Sequence, residues 1–405
     1  MSTPRLVIVD GVRTPFCKWN THFASLAADE LGRVAVNALL TRTGLDPQRI
    51  DEVIFGCVCQ PAEAANIARV ISLRAGVPES VPAMTVHRNC ASGLEAITAA
   101  AERMAAGRGS VFIVGGVESM SQVPLLFKPE TAKKLGALAG AKSASKKMSA
   151  LARLRFSDFE PRAALKLGLT DPVSGLNMGE TAELLARENK ISRDAQDQFA
   201  MQSHQRAVAA REKFSQEICP VYLNGQAVTE DNGPRIDASL PALAKLKPVF
   251  DRQYGTVTAG NSSQISDGAV ALLVMTEEKA AEFGREPLGR LSTYAYTGCD
   301  PAQMGLGPVS AIRKTDRSPE TADLIEINEA FAAQVLAVLK VLRDVPREKL
   351  NVNGGAIALG HPVGATGARL VLGALKELQR RNGRSALVSL CVGGGQGGAA
   401  WLERD

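Results

Sequence analysis

Short apolar runs alternate with longer amphipathic segments in the first part of the chain. The runs Leu6–Asp10, Asp51–Gly56 and Val111–Gly116 have the length and β-branched content of buried strands. Segments with the spacing of amphipathic helices separate them, at 26–43, at 65–75 and from Ala91 to about Gly107. Strands that alternate with helices in this way predict a layered α/β core.

The pattern changes between residues 122 and 249, where Lys, Ser, Pro and charged residues are frequent. Helices are predicted near 145–155, 178–189 and 192–213, without strong strands between them. We interpret this stretch as an insertion between core strands that acts as a lid or a substrate-holding domain. The predicted organisation is a first half, an inserted domain and a second half, at 1–121 with 250–280, at 122–249 and at 281–405.

A weak internal repeat relates the two halves. A constant shift of 274 residues places Cys90–Gly93 on Gly364–Gly367 and Ile113–Val114 on Leu387–Val388. The distance from the start of the helix to the following strand is therefore the same in both halves. Such a repeat indicates a duplicated α/β unit.

Composition narrows the class of protein. The 405 residues are 45% hydrophobic and 22% charged and include 37 glycines, as in a well-packed globular α/β protein. Aromatic residues make up 4% of the chain, too few to build a stacking platform for nucleic acid. The small excess of 47 basic over 42 acidic residues suits an anionic small ligand but does not indicate DNA, so we expect no nucleic-acid partner.

The seven cysteines have irregular spacing and form no C-x-x-C pair. They indicate neither a disulfide framework nor a zinc site, and we expect no bound metal. The chain enters its first strand almost at once, which leaves no room for a signal peptide, and no apolar run is long enough to span a membrane. These observations predict a protein of the reducing cytoplasm.

Cys90 stands where small and polar residues give way to an Ala-rich helical segment. A thiol at a helix N-terminus faces free backbone N–H groups and the positive end of the dipole, which favour the thiolate. The small neighbours Ala91, Ser92 and Gly93 leave room for a substrate carbonyl beside the sulfur. A lone cysteine is more often a small buried apolar residue, so Cys90 alone does not distinguish a nucleophile from a packing residue.

Three segments near the C-terminus carry further candidates. Asn328 lies at a strand end, His361 lies in a Gly-rich loop, and Cys391 follows a buried strand and opens a glycine loop. Taken singly, these residues are explained as a helix cap, a turn residue and a buried thiol. The glycines after Cys391 satisfy the dinucleotide-binding fingerprint, but too few residues follow them for a βαβ unit, so we exclude a nicotinamide site.

Taken together, these segments resemble the thiolase family, and the resemblance runs from residue 5 to residue 403. Five motifs in matching order and spacing carry it: Arg88–Gly93, Gly115–Ser121, Asn328–Phe331, Asn353–Gly367 and Cys391–Gly397. The resemblance implies an α/β fold in which two duplicated βαβαβαββ halves form a layered α-β-α-β-α core. It also implies an inserted, mostly helical loop domain in the first half, in agreement with the patterns above.

Cleavage of a C–C bond next to a thioester requires a nucleophile, a base, an acid and oxyanion donors, and these side chains are candidates for each role. Cys90 is the candidate nucleophile that carries the acyl group, and a neutral His361 is the candidate base for its proton. Cys391 suits proton transfer at the α-carbon of the departing enolate, because a thiol pKa lies near the working pH. The resemblance implies two oxyanion sites, one from His361 with a water held by Asn328, the other from the backbone N–H groups of Cys90 and Gly393.

The resemblance also implies that CoA and acyl-CoA are substrates and that no cofactor is tightly bound. The segment with Ala259, Gly260 and Ser263 matches the family's pantetheine-binding loop. Residues that match the walls of the acyl pocket are Met178, Met304 and Phe331. Apolar residues at such spacing are core residues in most proteins, so these three depend on the resemblance.

The expected activity is ping-pong thiolysis of 3-ketoacyl-CoA by CoA in fatty-acid β-oxidation, and Claisen condensation to acetoacetyl-CoA is the alternative. Two departures from the family, Thr366 and Val392, leave the degradative or biosynthetic branch open, and we expect neither to touch a catalytic group. A ketoacyl synthase on the same fold would lack Cys391. An acyl-CoA carrier that had lost the chemistry would not need the four reactive side chains.

Residues 127–155 hold eight Lys or Arg and a single acid, Glu130. Three interpretations are open: a solvated surface, a grip on the CoA phosphates, or contact with a membrane or with another subunit. The last follows from a resemblance to β-subunit thiolases of trifunctional fatty-acid oxidation complexes, whose partner is a hydratase/dehydrogenase α-subunit. The family also implies a homodimer or a tetramer.

Overall fold

The computed structural model describes residues 4–405. Its strands are β1 Leu6–Arg13, β2 Cys17–Lys18, β3 Glu52–Gly56, β4 Ala83–Val86, β5 Val111–Ser119, β6 Leu125–Leu126, β7 Arg162–Ala163, β8 Val221–Leu223, β9 Gln226–Val228, β10 Ser266–Thr276, β11 Gly289–Gly298, β12 Leu324–Ile327, β13 Ser385–Val392 and β14 Gln396–Glu403. Its helices are α1 Ala28–Thr43, α2 Ile67–Arg74, α3 Ser92–Ala105, α4 Pro129–Ala139, α5 Ala144–Leu151, α6 Ala164–Gly168, α7 Met178–Glu188, α8 Arg193–Ala209, α9 Arg211–Phe214, α10 Leu240–Ala244, α11 Glu277–Glu282, α12 Gly307–Lys314, α13 Ala332–Val341, α14 Ala356–Leu359 and α15 Val363–Arg381. Short 3-10 helices occupy Pro47–Arg49, Met120–Gln122, Phe156–Phe159, Pro301–Leu306, Pro319–Thr321 and Arg347–Lys349.

The main sheet has the strand order β4-β3-β5-β10-β1-β11-β14-β13-β12, with β2 added beside β10. In the first half, β3 pairs in parallel with β4 and β5, and β5, β10 and β1 follow in antiparallel order. The second half repeats this arrangement, because β12 and β13 are parallel and β13, β14 and β11 are antiparallel. A parallel bridge between Ile325 and Leu350 takes the place of the β3–β4 pairing. The two halves therefore share one topology, as the internal repeat predicts.

Alternate residues of the central strands face different cores. In the first half, Ile8 packs into the core that holds α3 and α15, whereas Val7 faces the core that holds α1 and α2. In the second half, Val388 faces α3 and α15, and Leu387 faces α12 and α13. The layers are thus α1 with α2, the first half-sheet, α3 with α15, the second half-sheet, and α12 with α13. The predicted α-β-α-β-α architecture is confirmed.

Glycines let the two central helices approach each other at backbone distance. A Cβ added at Gly93 of α3 would lie 2.8 Å from the carbonyl oxygen of Gly364, and one at Gly367 of α15 would lie 2.4 Å from the backbone nitrogen of Leu94. Gly93 and Gly367 are 274 residues apart, so the contact is pseudo-symmetric. A Cβ at Gly116 of β5 would approach the same Gly364 oxygen to 1.9 Å. The start of α3 in the first half and the start of α15 in the second half are therefore in direct backbone contact.

Residues 123–170 form a compact unit of their own. The unit contains α4, α5, α6 and the two-stranded sheet β6–β7, and Thr131 is its one buried residue. The wider bounds predicted for the inserted domain, 122–249, stay a prediction. Among residues 4–405, no helix has the length and apolar character required to cross a membrane.

The close contact between the central helices predicts opposite effects for two alanine substitutions on α15. Gly367→Ala places a methyl group against the backbone of α3 and is expected to lower the free energy of unfolding by about 1–3 kcal/mol. Gly373→Ala places its methyl group in open space. It is expected to raise the free energy of unfolding by up to about 1 kcal/mol, because alanine favours the helix. Unfolding midpoints of both variants check the prediction. Equal shifts of the two midpoints would contradict it.

Candidate active site

Cys90 lies in a tight turn between β4 and α3. Asn89, immediately before it, has a left-handed backbone with φ +42°. The Ser92 hydroxyl closes the turn, because it donates to the Asn89 carbonyl oxygen at 2.7 Å and accepts from the Arg88 N–H at 2.9 Å. The thiol is consequently held just before the first turn of α3, half-buried rather than deep in the core.

The electrostatic environment of Cys90 differs from the predicted one. Backbone N–H groups of Gly393 and of Cys90 itself interact with the sulfur and lower its pKa, as the helix-start position predicts. Burial outweighs them, so the pKa of Cys90 is raised above its ordinary value. The expected N–H donors are therefore present, but the net shift favours the thiol over the thiolate in the resting protein. The thiol keeps its proton at neutral pH and needs a base.

Asn89, the residue before Cys90, joins the two halves. Its side-chain Nδ2 donates a 2.6 Å hydrogen bond to the carbonyl oxygen of Gly393. This bond fixes the glycine loop whose N–H interacts with Cys90. Asn89 stands inside the Arg88–Gly93 motif, but nothing in the sequence shows that its amide reaches a loop 304 residues away.

Cys391 enters the same site from the second half. It lies near the end of β13, pairs with Gly397 of β14 and is fully buried. Burial first, and then the nearby thiols of Cys90 and Cys299, raise its pKa well above the ordinary value. The thiol therefore keeps its proton at neutral pH, and the expectation that its pKa lies near the working pH is wrong. Gly393, two residues after Cys391, interacts through its N–H with the sulfur of Cys90. The structure brings the two cysteines together from opposite halves.

His361 presents one ring nitrogen that is free to react. Its Nδ1 lies 2.7 Å from the Thr366 hydroxyl, and its Nε2 has no hydrogen-bond partner in the described chain. Burial, with the nearby Arg369 cation, lowers the pKa of His361 to about 4, so the imidazole is neutral at neutral pH. The prediction that Thr366 touches no catalytic group is wrong.

The His361 loop lies beside the start of α3. Gly364, three residues after the imidazole, packs against Gly93, three residues after the thiol. The buried carboxylate of Glu118 holds this seam, because it accepts from the N–H of Gly364 at 2.9 Å and from that of Cys59 at 2.8 Å. Burial raises the pKa of Glu118 to about 7. Sequence reasoning missed Glu118 as a bridge, although it stands inside the Gly115–Ser121 motif.

Asn328 is a buried amide without a partner. Its backbone N–H donates to the carbonyl oxygen of Ser389 at 2.9 Å, which places it beside the strand that carries Cys391. Both its side-chain Oδ1 and its Nδ2 lack hydrogen bonds within the described chain. It does not cap the next helix, since α13 begins after Phe331 without a side-chain cap. An unsatisfied buried amide costs about 1–3 kcal/mol and fits a group that holds a water or a substrate oxygen.

Three buried charged residues, Arg369, Glu326 and Glu329, contact the segments that carry these side chains. Arg369 of α15 donates to Glu326 of β12 at 3.2 Å, whereas its Nε and Nη2 have no partner in the described chain. Glu329 accepts from Ser203 at 2.6 Å, from Asn351 at 2.8 Å and from the backbone of the α14 segment, and so fixes the loop that leads to His361. Glu329 thereby holds the segment before His361, and Arg369 and Glu326 connect α15 to β12.

The predicted pocket residues surround the Cys391 side. Met178, Met304 and Phe331 belong to the apolar cluster that contains Cys391. The Met178 sulfur lies 3.6 Å from the position of a Cβ added at Gly393, so it borders the glycine loop. Phe331 packs edge-to-face on Phe250, with ring centroids 6.2 Å apart. An apolar wall thus adjoins the second thiol.

The predicted pantetheine loop borders the Asn328 segment. Ser263 donates its N–H to the carbonyl oxygen of Ala330 at 2.9 Å, and Asn261 accepts from the N–H of Ala332 at 2.9 Å. Ala259 is exposed, and Gly260 and Ser263 are half-buried, so the loop is open to a ligand. Within residues 4–405, no cluster of three or more metal-ligating side chains occurs.

The comparisons with known proteins agree with this geometry. A family model described as "Thiolase, N-terminal domain" matches residues 6–278, and one described as "Thiolase, C-terminal domain" matches residues 285–404. The chain belongs to the thiolase family. The resemblance read from its five motifs is thereby confirmed, and the thiolase is an acyltransferase by family.

Relatives of this thiolase carry two kinds of name. The acetyl-CoA acetyltransferase of Pseudomonas aeruginosa is 42% identical over 99% of each chain, and the 3-ketoacyl-CoA thiolase of Serratia proteamaculans is 39% identical over 98% of this chain and 97% of its own. The crystal structure of the Bacillus anthracis acetyl-CoA acetyltransferase superposes with a TM-score of 0.90, at 40% identity and with 99% of each chain covered. The crystal structure of human mitochondrial 3-ketoacyl-CoA thiolase in complex with CoA superposes with a TM-score of 0.89, at 36% identity, and the match covers 100% of this chain and 98% of that chain.

The bond between Asn89 and Gly393 predicts a catalytic defect without loss of the fold. Asn89→Gly tolerates the positive φ but removes the amide, so the Gly393 N–H loses its fixed position. We expect kcat for acetoacetyl-CoA thiolysis to fall about 100-fold or more, in the range found when one oxyanion donor is lost. Asn382→Gly is the matched control, since Asn382 also has a positive φ but lies at the C-terminal end of α15. Equal rates for the two variants would contradict the assignment.

Proposed function

We propose that the protein is an acetyl-CoA C-acyltransferase of the 3-ketoacyl-CoA thiolase type, which cleaves 3-ketoacyl-CoA with CoA in fatty-acid β-oxidation. The observation that carries the proposal is the 2.6 Å hydrogen bond from Asn89, the residue before Cys90, to Gly393, two residues after Cys391, which joins the turn of one thiol to the loop of the other. CoA and acyl-CoA are the substrates, and no tightly bound cofactor is needed. The seven free cysteines support a reducing compartment such as the cytoplasm.

The first half-reaction begins with the proton of Cys90. His361 Nε2, neutral and without a partner, accepts this proton while the sulfur attacks the 3-keto carbon. The ketone oxygen gains charge as the S–C bond forms, and the N–H groups of Cys90 and Gly393 stabilise it. A low-dielectric site strengthens these fixed donors.

The C2–C3 bond then breaks and leaves the enolate of acetyl-CoA. Protonated His361 and a water on Asn328 stabilise the enolate oxygen, and Cys391 delivers its proton to C2. The raised pKa of Cys391 keeps that proton available at neutral pH. Its thiolate next takes the proton of the incoming CoA thiol, whose sulfur attacks the Cys90 thioester. The S–C bond to Cys90 then breaks, acyl-CoA leaves, and the Cys90 thiolate takes back its proton from Nε2 of His361, so that Cys90, His361 and Cys391 all return to their resting forms.

The apolar wall supports a substrate longer than acetoacetyl-CoA. Met178, Met304 and Phe331 offer an apolar surface next to Cys391, which suits an alkyl chain. The alternative is acetyl-CoA C-acetyltransferase activity, the same steps run in reverse to form acetoacetyl-CoA. Several relatives bear that name, among them the enzymes of Pseudomonas aeruginosa and Cupriavidus necator. Rates of thiolysis along a chain-length series of 3-ketoacyl-CoAs distinguish the two.

We expect the protein to consume acetoacetyl-CoA in the presence of CoA, seen as loss of the absorbance of the magnesium enolate. Cys90→Ala is expected to lower kcat by at least about 10³-fold, because it removes covalent catalysis. Cys391→Ala is expected to lower turnover while Cys90 still reacts with an acyl-CoA in a single turnover. Cys219→Ala, at another buried thiol, is the control and should keep full activity. Undiminished thiolysis by Cys90→Ala would contradict the proposal. Acyl transfer to Cys90 without C–C cleavage in the unmodified protein would favour an acyl-CoA carrier instead of an enzyme.

The charge of the unit 123–170 supports a partner with a negative surface. The unit has ten Lys or Arg against three Asp or Glu, a net charge of +7, whereas the whole chain has +5. It also exposes eight large apolar side chains: Leu125, Leu126, Phe127, Met148, Leu151, Phe156, Phe159 and Leu167. Basic residues with exposed apolar groups suit an anionic membrane surface. We therefore extend the proposal to peripheral binding of anionic lipid through residues 127–155.

Vesicle sedimentation tests this extension. Binding to vesicles with phosphatidylserine should fall at least about 10-fold when Lys146, Lys147, Arg153 and Arg155 are changed to Gln, since each basic residue near such a surface contributes about 1 kcal/mol. The control variant changes four exposed basic residues outside the unit to Gln: Arg108, Lys245, Arg313 and Arg343. Unchanged binding in the first variant would rule out the membrane. Capture of a purified hydratase/dehydrogenase subunit in place of vesicles would point to that partner.

A homodimer or a tetramer remains part of the proposal. The outer strand β4 ends the sheet of the described chain, and its four residues are half-buried. An unpaired edge of this kind is able to pair with a second copy. Light scattering of the purified protein measures the assembly.

A further inference from the structure

The hydroxyl of Thr366 contacts both the catalytic imidazole and the backbone. Its Oγ1 lies 2.7 Å from Nδ1 of His361 and 2.9 Å from the carbonyl oxygen of Pro362. Pro362 precedes α15, and Thr366 is the fourth residue of that helix. A threonine hydroxyl commonly donates to the carbonyl four residues earlier in a helix. The same carbonyl also accepts the backbone N–H of Thr366 at 3.0 Å.

This pair of contacts decides where the imidazole proton lies. A hydroxyl has one proton, and a carbonyl oxygen is only an acceptor, so the contact with Pro362 uses that proton. The oxygen of Thr366 then accepts from Nδ1–H of His361. The opposite arrangement, with the hydroxyl donating to Nδ1, would leave two unprotonated oxygens 2.9 Å apart.

We propose that Thr366 is a positioning residue that fixes His361 as the Nδ1–H tautomer and leaves the Nε2 lone pair for the substrate side. The rest of the loop supports this orientation. The backbone N–H of His361 donates to the Gln264 carbonyl at 3.2 Å and contacts the Ser266 hydroxyl at 3.3 Å. His361 is therefore held at its backbone N–H and at Nδ1, and of its three nitrogens Nε2 alone has no partner in the described chain.

The tautomer sets the order of the proposed steps, and this consequence rests on the proposed function. An unprotonated Nε2 accepts a proton but cannot donate one, so in the resting protein it acts only as the base for Cys90. The S–H bond of Cys90 breaks, its electron pair stays on sulfur, and an N–H bond forms at Nε2. Only after this transfer does His361 have a donor for the enolate oxygen. Deprotonation of the nucleophile thus creates the oxyanion donor.

Nitrogen NMR of the whole protein tests the tautomer directly. The chain has four histidines, so protein labelled with ¹⁵N at the imidazole nitrogens gives few signals, and His361→Asn assigns those of His361. We expect an unprotonated Nε2 and a protonated Nδ1 at pH 7 in the unmodified protein. Thr366→Val removes the hydroxyl at nearly constant volume and should shift the ring to the Nε2–H form or to a mixture. Thr366→Ser should restore the original pattern.

A protonated Nε2 in the unmodified protein, or an unchanged pattern in Thr366→Val, would overturn the assignment. Alkylation of Cys90 by iodoacetamide adds a chemical readout, since Thr366→Val should slow it about 10- to 100-fold and Thr366→Ser should restore it. An effect of Thr366→Val caused by misfolding would be detected as a lowered unfolding midpoint. Neither measurement requires thiolysis, so the tautomer assignment and the proposed function can fail independently.

Discussion

The site depends on how closely two polypeptide backbones approach each other. Gly93, Gly364 and Gly116 bring α3, α15 and β5 to distances that no side chain would allow. Cys90 and His361 each stand three residues from this contact, one in each half. Their relative position is therefore set by backbone packing in the middle layer of the molecule. A site built in this way needs little adjustment before a substrate arrives.

Burial gives the reactive groups their protonation states. Desolvation raises the pKa of both thiols and lowers that of the imidazole, so all three are neutral in the resting protein. Each charge then appears only during the reaction, next to N–H groups already fixed by bonds such as Asn89 to Gly393. Neutral groups in a buried site avoid the cost of holding an ion pair without substrate.

Much of the fold could be predicted from sequence, because buried strands such as Val111–Gly116 have a clear apolar pattern and the repeat relates the halves. The principal motifs also led to the side chains that the structure brings together. The sequence pattern did not predict whether burial or the N–H donors at the helix start would dominate the pKa of Cys90, because desolvation depends on all the groups packed around the thiol. The contact of Thr366 with His361 was missed for a related reason: it depends on the rotation of one side chain within a helical turn. Glu118 was missed because its partners lie in two segments that are distant in sequence, Cys57–Cys59 and Gly364.

The repeat has a consequence for ancestry. The shift of 274 residues that relates the two halves makes Gly364 the counterpart of Cys90. It makes the exposed His87 the counterpart of His361. Gly364 has no space for a side chain, because an added Cβ would lie 2.5 Å from the carbonyl oxygen of Val117. A gene doubling that produced two equal clefts could thus retain only one nucleophile once the copies interlocked. Each half thus supplies different side chains of the candidate site, Cys90 from the first and Asn328, His361 and Cys391 from the second, so the proposed chemistry requires both halves.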